Sequence, residues 1–129
     1  MQRYVTTFQE FAEFGLYDLE ELCERSGVLE IRLCLLNAAS GRLVIKFSSH
    51  LSFRKAGESE GLVTLDAIAA TSKPGRSFYI AEDSDYVRWL VKQSHGIQKP
   101  ELLTQYTIVT VDDIVDVITL EPPSVFVPA

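Results

Sequence analysis

Three sets of residues in this chain have types and spacings that could do chemistry. The first is acidic. Asp18, Glu20, Glu21 and Glu24 lie close together, and Asp112, Asp113 and Asp116 form a second group near the end of the chain. The carboxylates of this second group could share acid–base work or hold magnesium. Spread over a surface, both groups can instead steer a basic macromolecule into contact. The second set is basic. Arg32, Arg42, Lys46 and His50 fall on the polar face of two alternating segments, a face that could hold a small ligand or an anion. The third is Ser94 beside His95, a pair that could belong to a nucleophilic triad.

Each set also has a plainer reading. Carboxylates with no His, Lys or Arg beside them in sequence are usually solvated, and acid–base roles need surroundings that split their pKa values. A histidine at a helix C-terminus is favoured there by the dipole. Asp83 and Asp85 alternate like the opening of a calcium loop, but the Gly and terminal Glu that must follow are missing. Helix capping accounts for Asp83, Ser84 and Asp85 instead. His50 and His95 stand alone, and Cys23 and Cys34 form no CxxC pair. No metal site and no cofactor are therefore expected. There is no GxSxG and no Gly-rich phosphate loop, so no enzymatic activity is expected. A low-activity enzyme using Asp112, Asp113 or His95 would need a deep cleft joining them.

The elements that must position these residues belong to one domain. The chain has 129 residues, of which 47% are hydrophobic and 23% charged, an ordinary globular composition. The first ten residues lack the apolar core of a signal peptide, and no apolar run approaches a membrane span. A cytoplasmic chain with reduced cysteines is the resulting expectation. Cys23 and Cys34 read as small hydrophobes, the first on a helix stripe and the second within a strand. The net charge is −6, which argues against nucleic acid as a partner. The charge is uneven: residues 1–30 and 81–129 are acidic and residues 31–80 are basic.

Residues 2–6 could be an edge strand and 7–14 a short helix. Leu19, Leu22 and Cys23 recur at helical spacing. They predict a helix from Leu19 to about Ser26, with Asp18 as N-cap, Glu21 at the capping-box position and Gly27 as C-cap. Residues 28–36 and 42–53 alternate strictly and predict a hairpin across the loop 37–41. A five-residue loop would set Arg32 opposite Lys46, a like-charge pair needing an acidic neighbour or an acidic partner. Glu30 and the acidic helix could supply that neighbour. Residues 62–70 read as a strand or a short helix, and 77–81 as a strand. A helix follows, capped by Asp83 or Ser84 and ending near Ser94. Trp89 on its stripe is expected as a core anchor; exposed with Tyr86 it would be a partner hot spot. Residues 103–110 and 114–120 read as strands around a turn at Val111–Asp113, with a helix from Thr110 the rival for the second. Residues 124–127 could add an edge strand. The sum is an α+β fold: a mainly antiparallel sheet with two helices packed on one face. An unpaired edge strand allows either a monomer or a homodimer.

Tyr79-Ile-Ala-Glu-Asp-Ser84, Tyr86-Val-Arg-Trp89 and Ser94-His-Gly-Ile97, taken with Tyr106-Thr-Ile-Val-Thr110 and Asp112-Asp-Ile-Val-Asp116-Val117, resemble a known group. These are small bacterial cytoplasmic proteins found beside secreted polymorphic toxins, where the neighbour acts as an immunity protein. The resemblance covers the last 50 or so residues, about one supersecondary unit, and carries no catalytic residues. It implies a non-enzymatic inhibitor that binds a basic toxin domain. The surfaces expected to do so are Asp18, Glu20, Glu21 and Glu24, and Asp112, Asp113 and Asp116. No membrane contact is expected. The alternative is a small-ligand or anion site at Arg32, Arg42, Lys46 and His50.

Overall fold

The computed structural model describes residues 2–12, 16–36 and 41–128. The class is α+β. The strands are β1 (Arg3–Thr6), β2 (Tyr17–Arg25), β3 (Val28–Leu35), β4 (Arg42–Phe47), β5 (His50–Gly57), β6 (Phe78–Glu82), β7 (Thr104–Val109), β8 (Asp113–Thr119) and β9 (Ser124–Phe126). The helices are α1 (Gln9–Ala12), α2 (Leu62–Thr71) and α3 (Asp85–Gln93), and a 3₁₀ turn covers Glu58–Glu60. The strands form two antiparallel sheets, ordered β2-β3-β4-β9 and β1-β6-β7-β8-β5. Most of the expected loop 37–41 lies outside the described residues.

Alternation explains how the layers stack. Leu29, Ile31 and Leu33 of β3 and Leu43, Ile45 and Phe47 of β4 project from one face of the four-stranded sheet. They pack against Phe78, Tyr106, Ile108, Val115 and Val117 of the five-stranded sheet. These eleven side chains are almost wholly removed from water, the main favourable term in such a core. The five-stranded sheet is buried on both faces. Tyr4, Tyr79 and Ala81 on its far face meet Ile68 of α2, and Ile118 meets Tyr86 and Val87 of α3. Both of these helices therefore pack on one face. No helix among the described residues is long and apolar enough to cross a membrane.

One expected helix is absent. Residues 17–25 are a strand paired to β3, and Ser26 and Gly27 make its turn. Both turn residues have positive φ, 53° and 79°, the backbone of a tight type I′ hairpin. Gly27 serves that turn and not a helix cap. The cause of the misreading is a β-bulge at Glu20, because the register slips between Leu19 and Glu21. Leu19 and Leu22 then both face inward, opposite Leu33 and Ile31. An inserted residue converts a spacing of two into a spacing of three, which mimics a helix. Asp18, Glu20, Glu21 and Glu24 are thus strand residues. Cys23, opposite Glu30, lies on the strand and not on a helix stripe.

The segment 42–53 is not one strand. It breaks at Ser48–Ser49, so that β4 belongs to one sheet and β5 to the other. Residues 62–71 settle as the helix α2. The helix α3 begins as expected: Ser84 is its N-cap, its hydroxyl accepting from the Val87 amide at 3.0 Å.

Candidate functional site

The basic set, spread over β3, β4 and β5, is paired with acids of β2 and β3. The observed β3–β4 register places Glu30 opposite Lys46 and Arg32 opposite Val44. This is two residues away from the expected pairing, so no like charges face each other. Arg32 Nε donates to Glu30 at 2.7 Å, and Lys46 Nζ lies 3.4 Å from the other carboxylate oxygen. The hydrogen bond from Arg32, with a further one from Lys46, holds the Glu30 carboxyl below its usual range. Arg42 pairs with Glu20, and His50 with Glu24. The four basic residues do not form an open anion cradle, and Glu20 and Glu24 are not free acids. Glu21 stands opposite Arg32.

Asp116 is not a solvated acid. It sits in the middle of β8, only 4% exposed. Its Oδ1 accepts from Thr107 Oγ1 at 2.6 Å and from Gln105 Nε2 at 3.0 Å, and its Oδ2 accepts from Arg54 Nε at 2.8 Å. Gln105 in turn accepts from the hydroxyl of Ser84, the N-cap of α3. The Arg54 guanidinium lies over the Tyr86 ring, 4.0 Å from its centre, and the Tyr86 hydroxyl meets Ser52. This polar chain ties α3 to the sheet. A buried carboxylate is tolerated only when its acceptor positions are filled, and here they are. Arg54, Gln105 and Thr107 were not legible as a set, because β5 supplies the first and β7 the other two, and β8 brings Asp116 between these strands. Trp89 is not a core anchor. It stacks on Tyr86 at 5.7 Å but remains 50% exposed, while Tyr86 is buried.

The turn after β7 does gather acids. Thr110 and Asp113 close it through reciprocal bonds at 2.9 and 3.1 Å. The Val111 amide donates to the Tyr17 carbonyl at 3.0 Å, and the Glu58 amide donates to the Asp112 carbonyl at 2.8 Å. Asp112 therefore stands between Asp18 at the start of β2 and the 3₁₀ turn carrying Glu58 and Glu60. Asp113 itself pairs with Lys55 at 3.1 Å. Beside this end a crevice of about 230 Å³ opens under α2, walled by Leu65, Ile68, Tyr79, Val109 and Ile114, with Glu58, Arg76 and Asp113 among its lining. Glu58 and Arg76 were missed. The only local hint was the loop composition of residues 57–61 and 71–75.

His95 is exposed just beyond α3 and does not line the crevice that Asp113 lines. Among the described residues no three His, Cys, Asp or Glu side chains are grouped to hold a metal ion. No family model matches the chain, no curated protein matches its sequence and no solved structure matches its fold.

Proposed function

We propose that this chain is a non-enzymatic binding protein that neutralises a basic protein partner, as an immunity-type inhibitor does a bacterial toxin. The observation that supports this reading is the acidic end of the sandwich. Backbone bonds from Val111 to Tyr17 and from Glu58 to Asp112 draw Asp18, Glu58, Glu60 and Asp112 to one region. None of these four has an ion-pair partner among the described residues. Leu16, Leu62 and Val63 are exposed beside them. Apolar contacts set among uncompensated acids suit a partner whose surface is basic around an apolar anchor. Of the residues expected from sequence, Asp18 and Asp112 belong to this surface. No observation favours anion binding at Arg32, Arg42, Lys46 and His50.

The test is complex formation with the products of adjacent genes, followed by association kinetics. A complex is expected, with an association rate that falls steeply as salt rises. Asp112→Asn combined with Glu58→Gln should slow association, while Glu20→Gln, whose carboxylate already serves Arg42, should not. Binding to none of these products, or an association rate indifferent to salt, would overturn the reading.

A further inference from the structure

The crevice under α2 shares Leu16 and Glu58 with the proposed partner surface, but its apolar interior and Arg76 are not used by the protein-binding reading. Its walls are side chains from three elements: Leu65 and Ile68 of α2, Tyr79 of β6, and Val109 and Ile114 from the β7–β8 hairpin. Apolar walls hold water poorly, because a buried water needs two to four polar partners. An engineered apolar cavity of about 150 Å³ takes up benzene. This crevice, at about 230 Å³, has room for an aromatic or branched aliphatic group.

Its charged lining carries both signs. Arg76 lies on the loop before β6, and its backbone amide donates to the Tyr79 hydroxyl at 3.2 Å. Burial pushes that phenol up, and the Arg76 amide and the Arg76 charge oppose the rise. Glu58 comes from the other side, on the turn after β5. Arg76 and Glu58 line the same opening, yet they do not pair with each other or with any other described charge. The third charge, Asp113, is already engaged by Lys55.

We propose that this crevice binds a free apolar α-amino acid, with its side chain between α2 and the sheet, its carboxylate on the Arg76 guanidinium and its ammonium on Glu58. The guanidinium fork matches a carboxylate in two parallel hydrogen bonds. A ligand with a single charge leaves one of the two groups unused. A side chain inserted from a protein partner brings neither an α-carboxylate nor an α-ammonium.

The test uses the chain alone, so its outcome is independent of any protein partner. L-Phenylalanine and L-leucine are titrated by calorimetry and by thermal unfolding. N-acetyl-L-phenylalanine and L-phenylalaninamide, each lacking one charge, serve as analogues. The parent amino acids should raise the melting temperature in proportion to the logarithm of their concentration once saturating. Each analogue should bind roughly tenfold more weakly or worse, as should the parents to Arg76→Gln and to Glu58→Gln, since a hydrogen bond to a charged group is worth about that factor or more. Both variants keep the core intact, so unliganded stability checks that they fold. No binding of either amino acid at millimolar concentration overturns the proposal. So does an analogue that binds as tightly as its parent, or a variant that binds the parent as tightly as the unaltered chain.

Discussion

Replacing Asp116 with Ala separates a buried structural carboxylate from a surface acid. Three donors converge on it: Thr107 Oγ1, Gln105 Nε2 and Arg54 Nε. Thr107 and Gln105 are fully buried, so their donors have no water to turn to. Gln105 Nε2 keeps a second acceptor, Thr107 Oγ1, at 3.0 Å, and loses only part of its bonding. The Arg54 side chain is 53% exposed and can rehydrate, although it loses the partner that fixes it over Tyr86. A buried donor left unmet costs about 1–3 kcal/mol. Breaking a buried charge pair by removing one member costs about 3–5 kcal/mol. With Arg54 half solvated, a loss of about 3–4 kcal/mol is expected, a large part of the roughly 5–15 kcal/mol typical of a domain. Urea unfolding followed by circular dichroism measures it. The midpoint should fall by about 1–4 M with an unchanged slope, given slopes of about 1–3 kcal/mol/M. Thr107→Val in the Asp116→Ala background removes the stranded hydroxyl donor but also the last acceptor of Gln105 Nε2, so the two effects should not be additive. A loss under about 0.5 kcal/mol, the range of ordinary surface changes, would refute the network.

Two further outcomes follow from the same packing. All five tyrosines, Tyr4, Tyr17, Tyr79, Tyr86 and Tyr106, are buried, and desolvation is the largest cause raising each phenol. The fold favours their neutral forms, while the unfolded chain ionises near pH 10. That stabilisation is complete below about pH 10 and is lost as pH rises through the higher folded values. Ultraviolet titration should therefore show tyrosinate appearing together with unfolding. Ordinary tyrosine midpoints with native circular dichroism would contradict the burial. At the β2–β3 turn, Ser26→Asn should raise stability by a few tenths to about 1 kcal/mol, since Asn tolerates positive φ better than Ser and Asn-Gly is the favoured type I′ pair; a fall in melting temperature would count against the hairpin.

Much of the fold was legible because its signals are local. Alternation marked β3 and β4, β-branched composition marked β7 and β8, and the Asp-Ser-Asp run before Tyr86 marked α3 and its cap. The same locality caused the main error. Around Glu20 an extra strand residue gave Leu19 and Leu22 the spacing of a helix, and sequence alone carries no mark of which partner strand absorbs a bulge. The composition of residues 62–71, mostly apolar with no clear period, left helix and strand both open until α2 packed against Tyr4 and Tyr79.

The candidate sites depended on longer distances. Sequence determined that acids and bases would be segregated along the chain, that no motif for nucleophile, phosphate or metal chemistry was present, and that the class would be α+β. Tertiary structure decided which charges remain free. The β2–β3–β4 pairing set Glu20, Glu24 and Glu30 against Arg42, His50, Arg32 and Lys46, and the five-stranded sheet buried Asp116 beneath Arg54. The turn contacts left Asp18, Glu58, Glu60 and Asp112 without an ion-pair partner among the described residues. The reason is physical: capping and alternation act between residues a few positions apart, whereas Coulomb energy and burial depend on separation through space, which register and sheet packing alone determine.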